Sequence, residues 1–229
     1  DFLDAAVDIH VGGIDLRFPH HENERAQSNS LTGMEVVKTW VHGEHLLFEG
    51  RKMSKSAGNV VLLSDLIERG LDPLSLRFAL LENRYRSQMD LSWASLEAAH
   101  STLRRWRKLM SEWGRSSEFK IDDEITDALS TDLDTPRAMQ RLRTLEKDLT
   151  IGALDKRAIF LYADQVLGLA LDRAPEEKPL SEELQQLLKA REVARTEKNW
   201  AESDSLRNQL ESAGLEINDG AQGQSWSWK

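Results

Sequence analysis

The chain has 229 residues, of which 40% are hydrophobic and 30% charged, with a net charge of −9 at neutral pH. That length allows one large or two small cores, and no apolar run reaches the length of a membrane span. Cysteine is absent, which excludes disulfides and any thiolate metal site made by this chain alone, and the acidity confines polyanion contacts to local basic patches.

Asp1-Phe2-Leu3-Asp4 shows neither a basic n-region nor an apolar h-region, so no secretory leader is expected, and the cysteine count suits the cytosol. The first residue is not Met, which suggests a processed, trimmed or fragmentary chain.

Val7 to Val11 reads as a strand running into Gly12-Gly13. Pro19 then opens a helix expected to reach about Ser28, with Pro at a first-turn position where its missing N–H costs nothing. Val36 to Val41 and His45 to Phe48 read as further strands. Beyond Asn59 the pattern turns helical. Asp65 to Arg69 is a short helix closed by Gly70, and Asp72-Pro73 launches another from Leu74 to about Glu82. Leu91 to Trp113 reads as one long amphipathic helix with Leu96, Ala99, Leu103, Trp106 and Met110 on its apolar stripe. Thr135-Pro136 starts a helix carrying Met139, Leu142, Leu145 and Leu149, and Lys156 to Leu171 supplies one more. Together these form a helical bundle. The stretch from Asp172 to Pro179, rich in charge and proline, reads as a linker. After it, Ser181 caps a helix to about Thr196, and Trp200 to Ser212 forms a second ending near Gly214. Leu215 to Ile217 with Trp226 and Trp228 reads as a small β unit.

Chemistry concentrates in the first sixty residues. Lys52-Met53-Ser54-Lys55-Ser56, followed by Ala57-Gly58-Asn59, sets two ammonium groups on a small-residue loop, the kind of cationic loop that nucleotidyl transfer needs as charge builds on a departing pyrophosphate. A solvated Lys/Ser loop is the bland alternative. Gly12-Gly13-Ile14-Asp15 follows a strand, where glycines admit a ligand to the backbone and a carboxylate accepts from ribose hydroxyls; the same tetrapeptide also serves as a plain turn. In Pro19-His20-His21-Glu22-Asn23-Glu24, a helix puts His20 and Glu24 on one face at i,i+4, able to converge on a metal, while His21 and Glu22 point elsewhere. An exposed first helical turn explains the same residues. Between Arg77 and Lys108, seven cations face three acids for a local net of +4. That excess suits either a phosphate-binding patch or a charged helix face.

In order, these segments resemble cysteinyl-tRNA synthetase, a class I aminoacyl-tRNA synthetase. The resemblance rests on Asp8 to Leu16, Phe18 to Glu24 and Gly50 to Asn59. It continues at Asn83 to Gln88, Asp132 to Pro136, Ala190-Arg191, Ala201 to Arg207, and Asp219 with Gly223 and Trp226. It implies a mixed fold: a partial α/β, Rossmann-type catalytic-domain remnant with the KMSKS loop at 1–63, an α-helical bundle of the stem-contact or anticodon-binding type at 64–171, and a small α+β anticodon-binding-like unit at 180–229. His20 and Glu24 then correspond to two of four Zn2+ ligands in the amino-acid pocket. Gly13 and Asp15 correspond to the holders of the ATP ribose, with His10 nearby. Lys52, Met53, Ser54, Lys55 and Ser56 handle the triphosphate, Lys52 and Lys55 catalytically. Arg84, Arg86, Arg104, Arg105 and Arg107 are candidates for tRNA phosphates, and Trp226 either stacks on an unpaired base or caps a small core.

The implied reaction is attack of the cysteine carboxylate on the α-phosphate of ATP, then transfer of the aminoacyl group to tRNA(Cys), in the cytoplasm and without a membrane. No His-x-Gly-His occurs in this chain, so the resemblance is to the back half, and a nucleotide-binding front half with the two zinc-binding cysteines is expected in the same or another chain. Gly220-Ala221 stands where the family has Thr-Pro after its Asp. The competing readings are a tRNA-binding module without catalysis and a cysteine ligase acting on an amino sugar, of the mycothiol ligase type.

Overall fold

The structure is a computed structural model that describes residues 6–52, 60–174, 180–220 and 223–228. The expected contributions of Met53, Ser54, Lys55 and Ser56 therefore lie outside the described residues. The chain divides into two compact units, Asp1–Pro175 and Glu176–Lys229.

The first unit opens with a βαβ element. β1 (Val7–Gly13) pairs in parallel with β2 (Val37–Gly43), with His10 opposite Trp40 and Gly12 opposite His42. Between the strands the chain turns through Ile14–Leu16 and Arg17–His21, where Phe18 is extended and the Phe18–Pro19 peptide is cis. α1 then runs Glu22–Thr32 and stops at Gly33, whose φ of 70° is the left-handed conformation glycine adopts without a Cβ penalty. The expected helix is thus displaced: Pro19 belongs to the turn before it, and the helix continues one turn past Ser28.

A second sheet has the order β4-β3-β5, from β3 (Leu46–Phe48), β4 (Arg51–Lys52) and β5 (Met89–Leu91). β3 and β4 form an antiparallel hairpin whose two turn residues, Glu49 and Gly50, both have positive φ, the backbone twist that a two-residue hairpin favours. β5 pairs in parallel with β3, so Leu91 lies in a strand instead of opening a helix.

Five further helices build the bundle with α2 (Leu63–Glu68): α3 (Leu74–Leu81), α4 (Trp93–Glu112), α5 (Asp123–Ser130), α6 (Thr135–Lys147) and α7 (Ala153–Leu167). α4 starts at a capping box in which Ser92 and Ser95 bond each other's backbone N–H, which is why Leu91 is left to the sheet. Its stripe of Leu96, Leu103, Trp106 and Met110 is buried, each such side chain contributing roughly 1.5–3 kcal/mol by leaving water. Trp106 is wedged between Phe78 and Phe160 with ring centroids 5.2 and 5.3 Å away, and its indole N–H donates to Glu146 at 2.8 Å. On α6, Met139, Leu142 and Leu145 are buried as the spacing predicts, but Leu149 is 96% exposed. Asp148 accepts from the backbone N–H and the hydroxyl of Thr150, a local turn that ends the helix before Leu149 can join its stripe.

The second unit pairs α8 (Glu182–Thr196) with α9 (Trp200–Ser212) and a hairpin of β6 (Leu215–Gly220) and β7 (Gly223–Trp228). Its core is Leu188, Leu210, Leu215 and Ile217. Arg191, 1% exposed, holds Asp219 through two bonds of 3.0 and 2.9 Å, and Arg195 adds a third at 2.8 Å. Trp226 stands opposite Ile217 on the hairpin and remains exposed, outside that core.

Candidate active site

Alternation along β1 and β2 gathers the chemistry on one sheet face. His10 and Gly12 share that face of β1, Trp40 and His42 share it on β2, and the segment entering α1 brings His20, His21 and Glu24 over it. His10 lies against Trp40 with centroids 4.5 Å apart, and His21 lies 5.0 Å from both Trp40 and His42. Nδ1 of His21 bonds Nε2 of His42 at 2.9 Å.

The i,i+4 spacing does bring His20 and Glu24 together: Nε2 of His20 is 3.2 Å from Oε1 of Glu24. The other carboxylate oxygen, Oε2, lies 3.3 Å from Nε2 of His10 yet is buried without a hydrogen bond among the described residues. His21, expected to point elsewhere, instead turns inward and is only 4% exposed. One nitrogen each from His10 and His21 and one oxygen of Glu24 lie within 4.8 Å of one another. His21 turns inward because the sheet receives it: Gly12 lacks the Cβ that would occupy the place of the ring, and Trp40 and His42 of β2 pack against it. Burial pushes the His21 pKa down, His10, His42 and His20 push it further, and Glu24 opposes them. A neutral imidazole is the form that ligates a metal and shares one proton with His42.

Gly12 is a steric requirement here, because a Cβ would meet the His21 ring, 2.8 Å from Nε2. A Cβ on Gly13 would collide with Oδ1 of Asp15, so that carboxylate lies against the glycine backbone. Lys52 ends β4 opposite Leu47 and is exposed.

The donors N, N and O fit zinc through imidazole and carboxylate, and the orphaned Oε2 of Glu24 is a polar atom that a cation would satisfy. Two or three such ligands fall short of a tetrahedral set.

The arginine cluster is less available than its charge suggests. Arg84 pairs with Asp134, Arg86 with Asp132 at 2.8 Å, and Arg105 with Glu146 at 2.7 Å. Arg107 is 4% exposed, paired with Asp72 at 2.5 Å and donating to the carbonyls of Leu169 and Ala170. It is a structural cation of the bundle and not a phosphate contact. Arg104 is exposed. The neutralising acids come from distant stretches of the sequence, which a local charge count does not see.

Trp40, His42, Tyr85 and Asp132 were not singled out as site residues from the sequence. The signal for two of them was present, since Trp40 and His42 alternate on a strand whose partner carries His10.

Residues 1–101 match the family described as tRNA synthetases class I (C) catalytic domain, and residues 177–226 match the cysteinyl-tRNA ligase anticodon binding domain. The cysteine–tRNA ligase of Methylocella silvestris is 41% identical over 99% of this chain and 51% of its own length. That of Roseobacter denitrificans is 40% identical over 99% of this chain and 48% of its own. That of Leptospira interrogans is 34% identical over 98% of this chain and 53% of its own.

This chain belongs to the cysteine–tRNA ligase family. It spans about half the length of the curated relatives it matches. Its fold is also similar to the LeuRS of Agrobacterium radiobacter K84, solved in a ternary complex with tRNA and LeuAMS, at a TM-score of 0.56 and 18% identity over 71% of this chain and 26% of that one. The mixed, helix-rich architecture is thus that of a class I synthetase. Among the described residues no helix is long and apolar enough to cross a membrane.

Proposed function

We propose that this chain is the KMSKS-bearing part of a cysteine–tRNA ligase, acting in the cytoplasm with a nucleotide-binding front half. The reaction is ATP-dependent activation of cysteine, followed by transfer to tRNA(Cys). The observation that carries this reading is that Gly13 ends β1 at its carboxyl end, Asp15 follows in the next segment, and the His20–Glu24 pair stands at the entry to α1. Ligands of parallel α/β sheets bind beyond the carboxyl ends of the strands.

In this reading Asp15 accepts from the ribose hydroxyls of ATP, and Gly12 and Gly13 leave the backbone open to the nucleotide. His20 and Glu24 hold zinc, with the remaining ligands supplied from outside this chain. Zinc supplies a soft Lewis acid that binds a thiolate, which separates cysteine from the nearly isosteric serine where shape alone discriminates weakly. His10 stands 3.3 Å from the Glu24 oxygen left for a cation, and the His21–His42 bond holds the imidazoles beside it. Lys55, with Lys52, stabilises charge developing on pyrophosphate, so its loss lowers kcat more than it raises KM. The bundle and the second unit bind tRNA.

The test is pyrophosphate exchange with cysteine and ATP. The chain alone is expected to be inactive, and activity is expected when the unmatched portion of the Methylocella silvestris enzyme is added. Binding of tRNA(Cys) to the chain alone is expected to weaken steeply with salt. Exchange by the isolated chain would overturn the need for a front half. Silence in both arms, together with salt-independent RNA binding, would overturn the family reaction.

A further inference from the structure

The loop between α3 and β5 is fastened on both sides. On the bundle side, Glu82 pairs with Arg143, Arg84 with the buried Asp134, and Arg86 with Asp132. Tyr85 adds its hydroxyl, donating to Asp132 at 2.7 Å and accepting from Arg86 Nε at 2.8 Å. On the sheet side, the carbonyl of Tyr85 accepts from the N–H of Glu44 at 2.7 Å, and Met89 N–H donates to His45 at 3.3 Å. Arg86 then forms one wall of a cavity of about 370 Å³ at the end of β2, with Arg17, Trp40, His42 and Glu44 among the others.

The bundle end of this clasp is held in an unfavourable backbone. Asp132 and Leu133, neither of them glycine, have successive φ values of 52° and 53°. Asp visits this region more readily than most residues, but Leu does not, and such a pair persists only where surrounding contacts over-determine it. What it achieves is visible in the side chains: Asp132 faces Arg86 and Tyr85, and Asp134 faces Arg84, while Leu133 is left exposed. Tyr85 first and Arg86 second hold the Asp132 carboxyl below its ordinary range, so it stays ionised in the clasp.

We propose that Asp132 is a positioning residue: through Arg86 and Tyr85 it sets the 83–88 loop and so couples the α5–α6 turn of the bundle to the cavity wall beside Trp40 and His42. A ligand that takes Arg86 away from Asp132 on the bundle side is then felt at the end of β2.

Asp132→Asn removes the charge while keeping a side chain that tolerates left-handed φ. Expected is a rise of about tenfold in hydrogen exchange at the Glu44 amide beyond any rise in the α4 core, with a shift of the Trp40 indole N–H resonance. Tyr85→Phe, which leaves Arg86 in place, should move both signals in the same direction by less. Asp127→Asn, which breaks the 2.7 Å pair with Arg137 on the same helix pair, should move neither. Exchange at Glu44 that merely follows the α4 core in Asp132→Asn and Tyr85→Phe, with Trp40 unmoved, would overturn the proposal and leave Asp132 a support of the bundle alone.

Discussion

Gly12 and His21 occupy each other's space: the imidazole lies where a side chain at position 12 would begin, 2.8 Å from Nε2 to a Cβ placed there. Gly12→Ala therefore has to expel His21 from its place beside Trp40 and His42. The expected cost is roughly 1–3 kcal/mol, as for overpacking elsewhere. Gly13→Ala meets only the carboxylate of Asp15, an exposed side chain that can rotate away, and should cost less. Urea unfolding of the two variants checks the ranking.

Zinc affinity separates two ligand sets that share Glu24. The family-type pair is His20 with Glu24, at 3.2 Å. The tighter trio is His10, His21 and Glu24, within 4.8 Å. Glu24→Gln removes a direct ligand on either arrangement and should weaken zinc binding in equilibrium dialysis by at least the roughly tenfold that loss of an outer-shell partner costs. His20→Ala is expected to match it and His21→Ala to fall short. The reverse order would move the metal to the trio.

Much of this was legible because local chemistry and tertiary packing agree. The apolar stripe of α4, the Ser181 cap and the Trp200–Ser212 helix follow from spacing and capping residues alone, and each is observed. The His20–Glu24 pair is equally local, four residues apart on one helical turn. What was not legible depends on partners far away in sequence. β5 exists because Leu91 pairs with Phe48, and the arginine cluster is neutralised by Asp72, Asp132, Asp134 and Glu146. The inward turn of His21 likewise depends on distant partners, Trp40 and His42 on β2 and the missing Cβ of Gly12.

Acid should destabilise the first unit through two histidines. Burial lowers the pKa of His21, and burial with the nearby Arg104 and Arg107 lowers that of His100. Each group binds its proton more readily in the unfolded chain, near the ordinary value of about 6.5. Stability is then complete above that value and falls as the pH drops through it toward the folded-state pKa. His100 has a specific bond to lose, since its Nδ1 accepts from the N–H of Asp72 at 3.0 Å and cannot do so when protonated. His100→Gln should flatten the slope of stability against pH below about 6.5, measured by urea midpoints, while the slope above it stays unchanged.

The arginines make the last prediction, because burial and pairing divide them sharply. Arg107 is enclosed with Asp72 and two backbone carbonyls, so Arg107→Met strands a carboxylate that is itself largely buried. Breaking such a pair by removing one partner typically costs about 3–5 kcal/mol. Arg173 also reaches Asp72 and should keep the loss toward the lower end. The same substitution should leave the salt dependence of tRNA binding unchanged once the remaining folded protein is compared. Arg104→Ala with Arg105→Ala should do the opposite, changing stability little and the salt slope clearly. Arg105 already holds Glu146, so a phosphate arriving there replaces a carboxylate and leaves fewer displaced counterions than a free cation would. The double variant is therefore expected to reduce the slope by less than the roughly 1.4 to 1.8 that two uncompensated phosphate contacts contribute. A slope that does not change at all removes both arginines from the RNA surface.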